Sequence, residues 1–462
     1  MVALIVVIVA TAFWPGIAEY DTVAQYQQVL GGTVDDWHPP IMVRLWQALH
    51  PLAAGMAPMF ALQLALYAAG FALIVAALFR SGRWRAGLCA GLLAVSPLLL
   101  GWQMVVLKDA QMAGALVAAT GIVIHYRLSG RRVPAVATAF ILVLLAYGTF
   151  VRGNAAFATA PLAVLLLQRP APIIRRAALA VGVLILVLPV SPLINQRLLG
   201  AAPSGIAKSQ PVFDLAAIAE ASHDPRPFTE AERGAIRARH CVKAFFWDPL
   251  GDPTACGPAT ERLKQQSETK LYLELARAAV KHPFVYAGHR LLHWNSTERW
   301  LVAPGLIGAG PPDEAEPNDV GLETPRSPIV GAWQSAAAFE AGTPLGWPIA
   351  WTLIGLLLAP LTWRRRFDPA GSVALALIAS ALTLEASFLA ISIASDLRYH
   401  LWPMTASALA LVLLSDDIRL RSRSTVAAGG LLALAIAAGL WTRATLPRAP
   451  DTYQAAIHAP TG

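Results

Sequence analysis

The stretch HPPIMVRLWQALHPLAAG, residues 38–55, decides how the rest of the chain is laid out. If it crossed a membrane, every later loop would change sides. It carries His38, Arg44, His50 and three prolines, which makes it a poor crossing. As a helix it places Met42, Leu45, Trp46 and Leu49 on one face, the pattern of a helix lying in the interface. An in-plane helix is therefore expected, with the chain continuing on the same side before and after it.

Around that stretch the chain is strongly apolar. Of 462 residues, 56% are hydrophobic and 14% charged, with mean hydropathy +0.54. Soluble domains are roughly a quarter charged, so a disordered chain is excluded and an ordinary soluble enzyme is a poor fit. Apolar runs fall at 2–14, 57–79, 86–105, 110–126, 133–150, 155–168, 177–194, 346–363, 371–394, 402–415 and 425–442. The expected fold class is an all-α polytopic membrane protein of about eleven spans. The first run lacks a charged leader, so it is expected to be a span rather than a signal peptide.

Five arginine clusters test the layout: Arg80/Arg83/Arg85, Arg127/Arg131/Arg132, Arg169/Arg175/Arg176, Arg364/Arg365/Arg366 and Arg419/Arg421/Arg423. With 38–55 in-plane, all five occupy alternate loops, and the positive-inside rule makes that side cytoplasmic. These loops hold 15 arginines against Asp368, Asp416 and Asp417, a net of +12, which leaves −4 elsewhere out of the overall +8. The basic balance is a topology signal, and no nucleic-acid partner is expected. The N-terminus is expected in the cytoplasm of a bacterial inner membrane.

Four regions follow: an N-terminal membrane module, 1–194, with its first outer loop at 15–56; an outer domain, 195–345; late spans, 346–442; and an outer tail, 443–462. The outer domain has 15 Lys+Arg and 17 Asp+Glu, a soluble-type balance, with helices expected at 229–247, 259–281 and 284–303. Thr229–Glu232 fits a capping box at the start of the first. Cys241 and Cys256 fall in this domain, 15 residues apart, either as a disulfide or as two buried thiols. Cys89 reads as a small apolar residue inside a span. The chain has no C-x-x-C pair, no H-E-x-x-H and no P-loop, and Asn295-Ser296-Thr297 is a sequon of the kind that arises by chance.

Polar residues gather in four outer loops. The first is W-P-G-I-A-E-Y-D, with Glu19 and Asp21, continuing to D-D-W-H-P-P with Asp36 and His38. A short helix is expected at Asp21–Leu30, and Asp21 reads either as its N-cap or as a general base at the membrane surface. The second holds Lys108 and Asp109, the third holds Arg152 alone, and the fourth packs Asp396, Arg398, Tyr399 and His400 together. One such cluster is ordinary loop polarity. Four on one side point to a shared site for an anionic ligand reached from the bilayer, with Lys108, Arg152 and Arg398 as counter-charges. Glu385 lies inside an apolar span, about 16 Å of helix rise from Asp396.

This pattern resembles the GT-C glycosyltransferases, which use polyprenyl-phosphate-linked sugars and include the protein O-mannosyltransferases and lipid A aminoarabinose transferases. The resemblance rests on W-P-G-x-x-E-Y-D after the first span, D-W-H-P-P, the Lys108-Asp109 pair, K-H-P-F-V-Y-A-G-H-R at 281–290 and R-Y-H-L-W-P at 398–403. It covers most of 1–415, without the detailed fold of 195–345, and it rests on the order and sidedness of short motifs.

The resemblance implies inverting sugar transfer to an envelope lipid, glycan or protein. A first-loop carboxylate would deprotonate the acceptor while cations, and in some members a divalent metal ion, stabilise the leaving phosphate. On that basis Asp21 is the expected base, with Glu19 its competitor. Lys108, Arg152 and Arg398 are expected on the phosphate, with Arg44 and Arg290 as further candidates. Asp109 is expected to orient Lys108 or the sugar. His38, with Asp36, Tyr399 and His400, would meet substrate or a metal. The chain lacks the insert between late spans that marks the protein O-mannosyltransferases, which places it nearer the bacterial envelope-modifying members. An O-antigen polymerase or ligase, a transporter or flippase, and a non-catalytic scaffold are the alternatives.

Overall fold

The computed structural model describes residues 2–167, 172–222, 224, 226–418 and 421–460. Every regular element among them is helical, joined by three isolated β-bridges. All eleven apolar runs form helices. Four of these are long and apolar enough to cross a membrane: Ala57–Arg80, Ile173–Leu198, Pro369–Ile391 and Arg423–Thr445.

The expected single span at 86–105 is two helices, Trp84–Ala94 and Pro97–Gln103, bent by 52°. Pro97 has no N–H to continue the first helix. Ser96 caps the second by accepting from the Leu99 N–H and donates its hydroxyl proton to Glu340 at 2.8 Å. Taken as one, the pair makes a fifth candidate span.

At the centre, Ala57–Arg80 crosses Lys108–Leu128 at van der Waals distance. A Cβ on Gly121 would lie 2.5 Å from the Gly70 carbonyl oxygen, so only glycine allows this approach. The Pro40–Leu49 helix is too short to cross a bilayer, about 15 Å by its rise. Its Met42, Val43 and Trp46 are buried, and Trp46 stacks 5.2 Å from Tyr26. The apolar face of this helix therefore rests largely on protein.

The arginine clusters meet at one end of the bundle. Arg83 pairs with Asp416 at 2.8 Å, and Arg365 pairs with Asp417. Arg127 donates to Ser372 Oγ and the Leu166 carbonyl, and Arg176 donates to the Leu165 carbonyl. Arg169 and Arg419 lie outside the described residues. The loops around Lys108, Arg152 and Asp396 converge at the opposite end.

The outer segment has its own core, built on Val212, Phe213, Leu250, Leu263 and Leu271. Its helices differ from expectation. The 229–247 helix is Glu230–Ala238 and ends before His240, whose φ is +50°. The 259–281 stretch is split into Gly257–Lys264 and Glu268–Lys281, the second capped by Ser267. The third helix ends at Thr297, and Ser209–Ser222 adds one that the sequence pattern did not reveal. The Thr229/Glu232 capping box is present, and Cys241 and Cys256 form a disulfide. Two boundaries move. Pro328–Gly342 packs on the Pro97–Gln103 helix and belongs to the bundle, with Val330 and Ala341 in its core. The tail is docked: Ile457 enters the outer-domain core and Tyr453 stacks on Phe246 at 5.3 Å.

Candidate functional site

Backbone pairing builds the site. Ile17 N–H donates to the Met104 carbonyl and Val106 N–H to the Ile17 carbonyl, both at 3.0 Å. Gly16 makes this pairing possible: its φ is +109°, and a Cβ there would sit 2.9 Å from Val106. Gln63 holds the other side of the strip, donating to the Gln103 and Val105 carbonyls at 2.7 and 2.8 Å. The following helix is Tyr20–Gly31, with Glu19 rather than Asp21 as its N-cap residue. Asp21 lies in the first turn, and Thr22 anchors that turn by donating to the Val106 carbonyl at 2.6 Å. Glu19 and Asp21 are thus fixed beside Lys108, which opens the next buried helix.

The charges interlock. Asp21 Oδ2 meets Lys108 Nζ at 2.8 Å and Arg398 Nη1 at 3.2 Å. Arg398 also pairs with Glu19 and, at 3.2 Å, with Asp396. Arg152 pairs with Asp109, donates to Asn154 Oδ1 at 2.8 Å and stacks over Tyr399 at 4.1 Å. Arg398 lies 5.5 Å from the same ring. Asp396 is placed by a tight passage: Leu397 N–H donates to the Gly308 carbonyl, and a Cβ on Gly308 would strike the Asp396 carboxylate at 2.3 Å.

Burial and neighbouring charge separate the two first-loop acids. Burial pushes Glu19 up to about 7; Asp21 and Asp396 add to the rise and Arg398 opposes it. Burial also acts to raise Asp21, but Lys108, Arg398 and His38 outweigh it and hold that carboxyl well below the usual range. His38 is buried, its Nδ1 has no hydrogen-bond partner, and burial lowers it to about 4 against the pull of Asp21.

The sequence reading grouped more residues than the structure brings together. Lys108, Asp109, Arg152, Arg398, Tyr399, Glu19, Asp21 and His38 converge. Arg44 does not: it donates to the Leu199 carbonyl at 2.8 Å and to Gln47. Arg290 is committed to Asp214 and to the Phe388 and Leu389 carbonyls, tying the 195–345 segment to the Pro369–Ile391 helix. Asp36 accepts from Ser204 N–H and Oγ, both at 2.7 Å. His400 is fully buried and its Nδ1 is taken by Glu385 at 2.8 Å. The chain reverses after Ile391, so Glu385 meets His400 directly instead of lying a helix length below the loop.

Glu298, Glu385 and His400 are fully buried with ligand atoms within 4.8 Å of one another, and they are the described residues whose chemistry suits a metal ion. Thr352 donates to Glu298 at 3.1 Å. Asp396 belongs with the charged cluster although only its neighbours carried a role in the sequence reading. Asp248 was missed altogether. It accepts from the Tyr453 hydroxyl, lies within electrostatic reach of Asp21 and Asp396, and is raised by burial to about 6. Its trace in the sequence is the W-D-P-L-G-D-P run between the two cysteines. No family model, curated protein or solved structure matches this chain.

Proposed function

We propose that the protein is an inverting glycosyltransferase that moves a sugar from a polyprenyl phosphate to an envelope lipid, glycan or protein. One observation carries the reading: Lys108 and Arg398 converge on a single oxygen of Asp21 at one end of an apolar helical bundle. A donor phosphate that takes these two cations comes to lie beside the carboxylate they leave. The exchange releases Asp21 from both ion pairs and raises its basicity when the donor is in place. Asp21 then removes the acceptor hydroxyl proton. The acceptor oxygen forms a bond to the anomeric carbon, and the carbon–oxygen bond to the phosphate breaks. The electron pair leaves with the polyprenyl phosphate, whose charge Lys108, Arg398 and Arg152 stabilise. Tyr399 backs both guanidinium groups. Where a divalent ion takes part, Glu298, Glu385 and His400 are the residues suited to holding it.

Glu19 is the second reading for the base, favoured by its value of about 7, near the optimum for proton transfer at neutral pH. In this account the protein sits in a bacterial inner membrane with about eleven crossings. Its arginine-rich end is cytoplasmic and its charged site periplasmic. The direct test is transfer of labelled sugar from its polyprenyl phosphate by wild type, Asp21→Asn and Glu19→Gln. Loss in the first variant and retention in the second assigns the base to Asp21.

A further inference from the structure

Between the first outer loop and the outer domain lies a cavity of about 260 Å3 that the transfer scheme does not use, lined by Trp37, Ser204, Lys208, Ser209, Trp247 and Lys264. That is slightly below the roughly 300–1,000 Å3 of ordinary ligand pockets, a size for one sugar residue rather than a chain. Its two indoles come from the first outer loop and the outer domain, with ring centres 6.3 Å apart and planes inclined by 43°.

The Trp247 ring is held in place, and the loop that carries Trp37 is anchored. Asp36 fixes Ser204 through two hydrogen bonds of 2.7 Å, which pins the 202–205 turn against Trp37. Trp247 N–H donates to the Ile393 carbonyl at 2.9 Å. Its ring lies across Gly251, where a Cβ would come within 2.7 Å of it. Trp37 is 42% exposed and offers an open face. Lys208 donates to the Lys264 carbonyl at 2.7 Å, and the Lys264 ammonium stands 5.9 Å over the Trp247 ring. Among the described residues, neither ammonium has a carboxylate within salt-bridge distance.

The chemistry of this lining is specific. An indole face accepts the C–H face of a pyranose ring, the Ser209 hydroxyl is placed to exchange hydrogen bonds with its hydroxyls, and two ammonium groups that have no carboxylate within salt-bridge distance favour negative charge. Position adds the rest. Trp37 is followed by His38 and Trp247 by Asp248, and both His38 and Asp248 interact electrostatically with Asp21. The cavity is thus walled by the same two segments, the first outer loop and the 247–248 stretch, that carry groups acting on the proposed base.

We propose that this cavity is the acceptor subsite and that it takes a sugar ring bearing a negative charge, either a uronate or a sugar phosphate. The inference rests on the glycosyl-transfer reading. Its test uses the full-length protein in nanodiscs and saturation-transfer NMR titrations with three probes: a glucuronate-terminated disaccharide, its neutral glucose-terminated counterpart, and glucose 6-phosphate. At least one anionic probe is expected to bind about tenfold more tightly than the neutral one, and the better of the two identifies the charged group. Trp37→Ala is expected to weaken binding about tenfold, and Lys264→Gln to abolish the preference for charge. That pattern in a protein that transfers no sugar leaves the anionic-sugar site standing and removes the transfer reading. Equal binding of charged and neutral sugars, no binding of any probe, or an unaffected Trp37→Ala variant overturns the subsite even if transfer is observed.

Discussion

Asp21 Oδ2 and Lys108 Nζ lie 2.8 Å apart, and Arg398 reaches the same oxygen at 3.2 Å. One carboxylate oxygen thus joins the first outer loop, the start of the central buried helix and a loop near the far end of the chain. Removing a cation that stabilises a leaving phosphate typically costs 10²–10³ in rate. Lys108→Gln is accordingly predicted to lower kcat about 100-fold in a sugar-transfer assay. Arg398→Lys keeps the charge but loses the fork that spans Glu19, Asp21 and Asp396, and a loss of about tenfold or more is predicted. Wild-type rates in both variants would remove these cations from the chemistry.

The pH profile separates the two first-loop acids. Asp21 is ionised throughout the neutral range, so with Asp21 as base kcat/KM in the free enzyme shows no acid limb near pH 7. With Glu19 as base, the rate falls as pH drops through about 7, and Glu19→Gln abolishes it. The predicted outcome is the first. Glu19 also affects stability. Its folded-state value of about 7 lies above the ordinary 4.5, so the folded protein holds the proton to higher pH than the unfolded chain does. Stability from this group is full below about pH 4.5 and declines as pH rises toward 7. Glu19→Gln is predicted to flatten that slope in thermal melts recorded at several pH values.

Sidedness is open to a direct chemical test. Single cysteines placed at Arg366 and Gln266, in a background lacking the native cysteines, are predicted to react with an impermeant thiol reagent from opposite faces. The Gln266 position should label in intact cells and the Arg366 position only after permeabilisation. Labelling of both from one side would break the alternation on which the site depends.

The disulfide closes a loop of 15 residues in the outer domain. Constraining such a loop is worth about 3 kcal/mol in the chain-entropy account. The double variant Cys241→Ser/Cys256→Ser is predicted to lower the unfolding midpoint of that domain, followed by limited proteolysis against temperature. Lys281, which pairs with Asp224 on the outer-domain surface, serves as the control position: Lys281→Gln should change little.

Much of the site was legible because Lys108, Arg152 and Arg398 are isolated cations at the ends of apolar runs, where a charge stands out against its surroundings. Arg44 and Arg290 carry the same signal yet spend their guanidinium groups on backbone carbonyls, a distinction that only the folded chain reveals. The Ser96-Pro97 break was hidden inside a uniformly apolar run. There the decisive contact is Glu340, supplied by a distant helix. Glu385 was misplaced because helix rise was extended past Ile391, where the chain turns back to set His400 against it. Asp248 left only the W-D-P-L-G-D-P run as its trace, with nothing in it to place the residue at the site. It reaches the site through the pairing of Trp247 N–H with the Ile393 carbonyl, a contact between segments with no shared local pattern.

The central claim is that the Asp21 carboxylate and its two cations act on a polyprenyl-phosphate sugar. The most direct measurement is single-turnover release of polyprenyl phosphate from a radiolabelled donor by purified protein in nanodiscs, with envelope extract as acceptor. Wild type is predicted to release it with transfer of the label to the acceptor. Asp21→Asn, folded and inserted at wild-type levels, is predicted to be slower by at least about 100-fold. Full turnover by Asp21→Asn, or no release by wild type with any polyprenyl-phosphate sugar, would contradict the account.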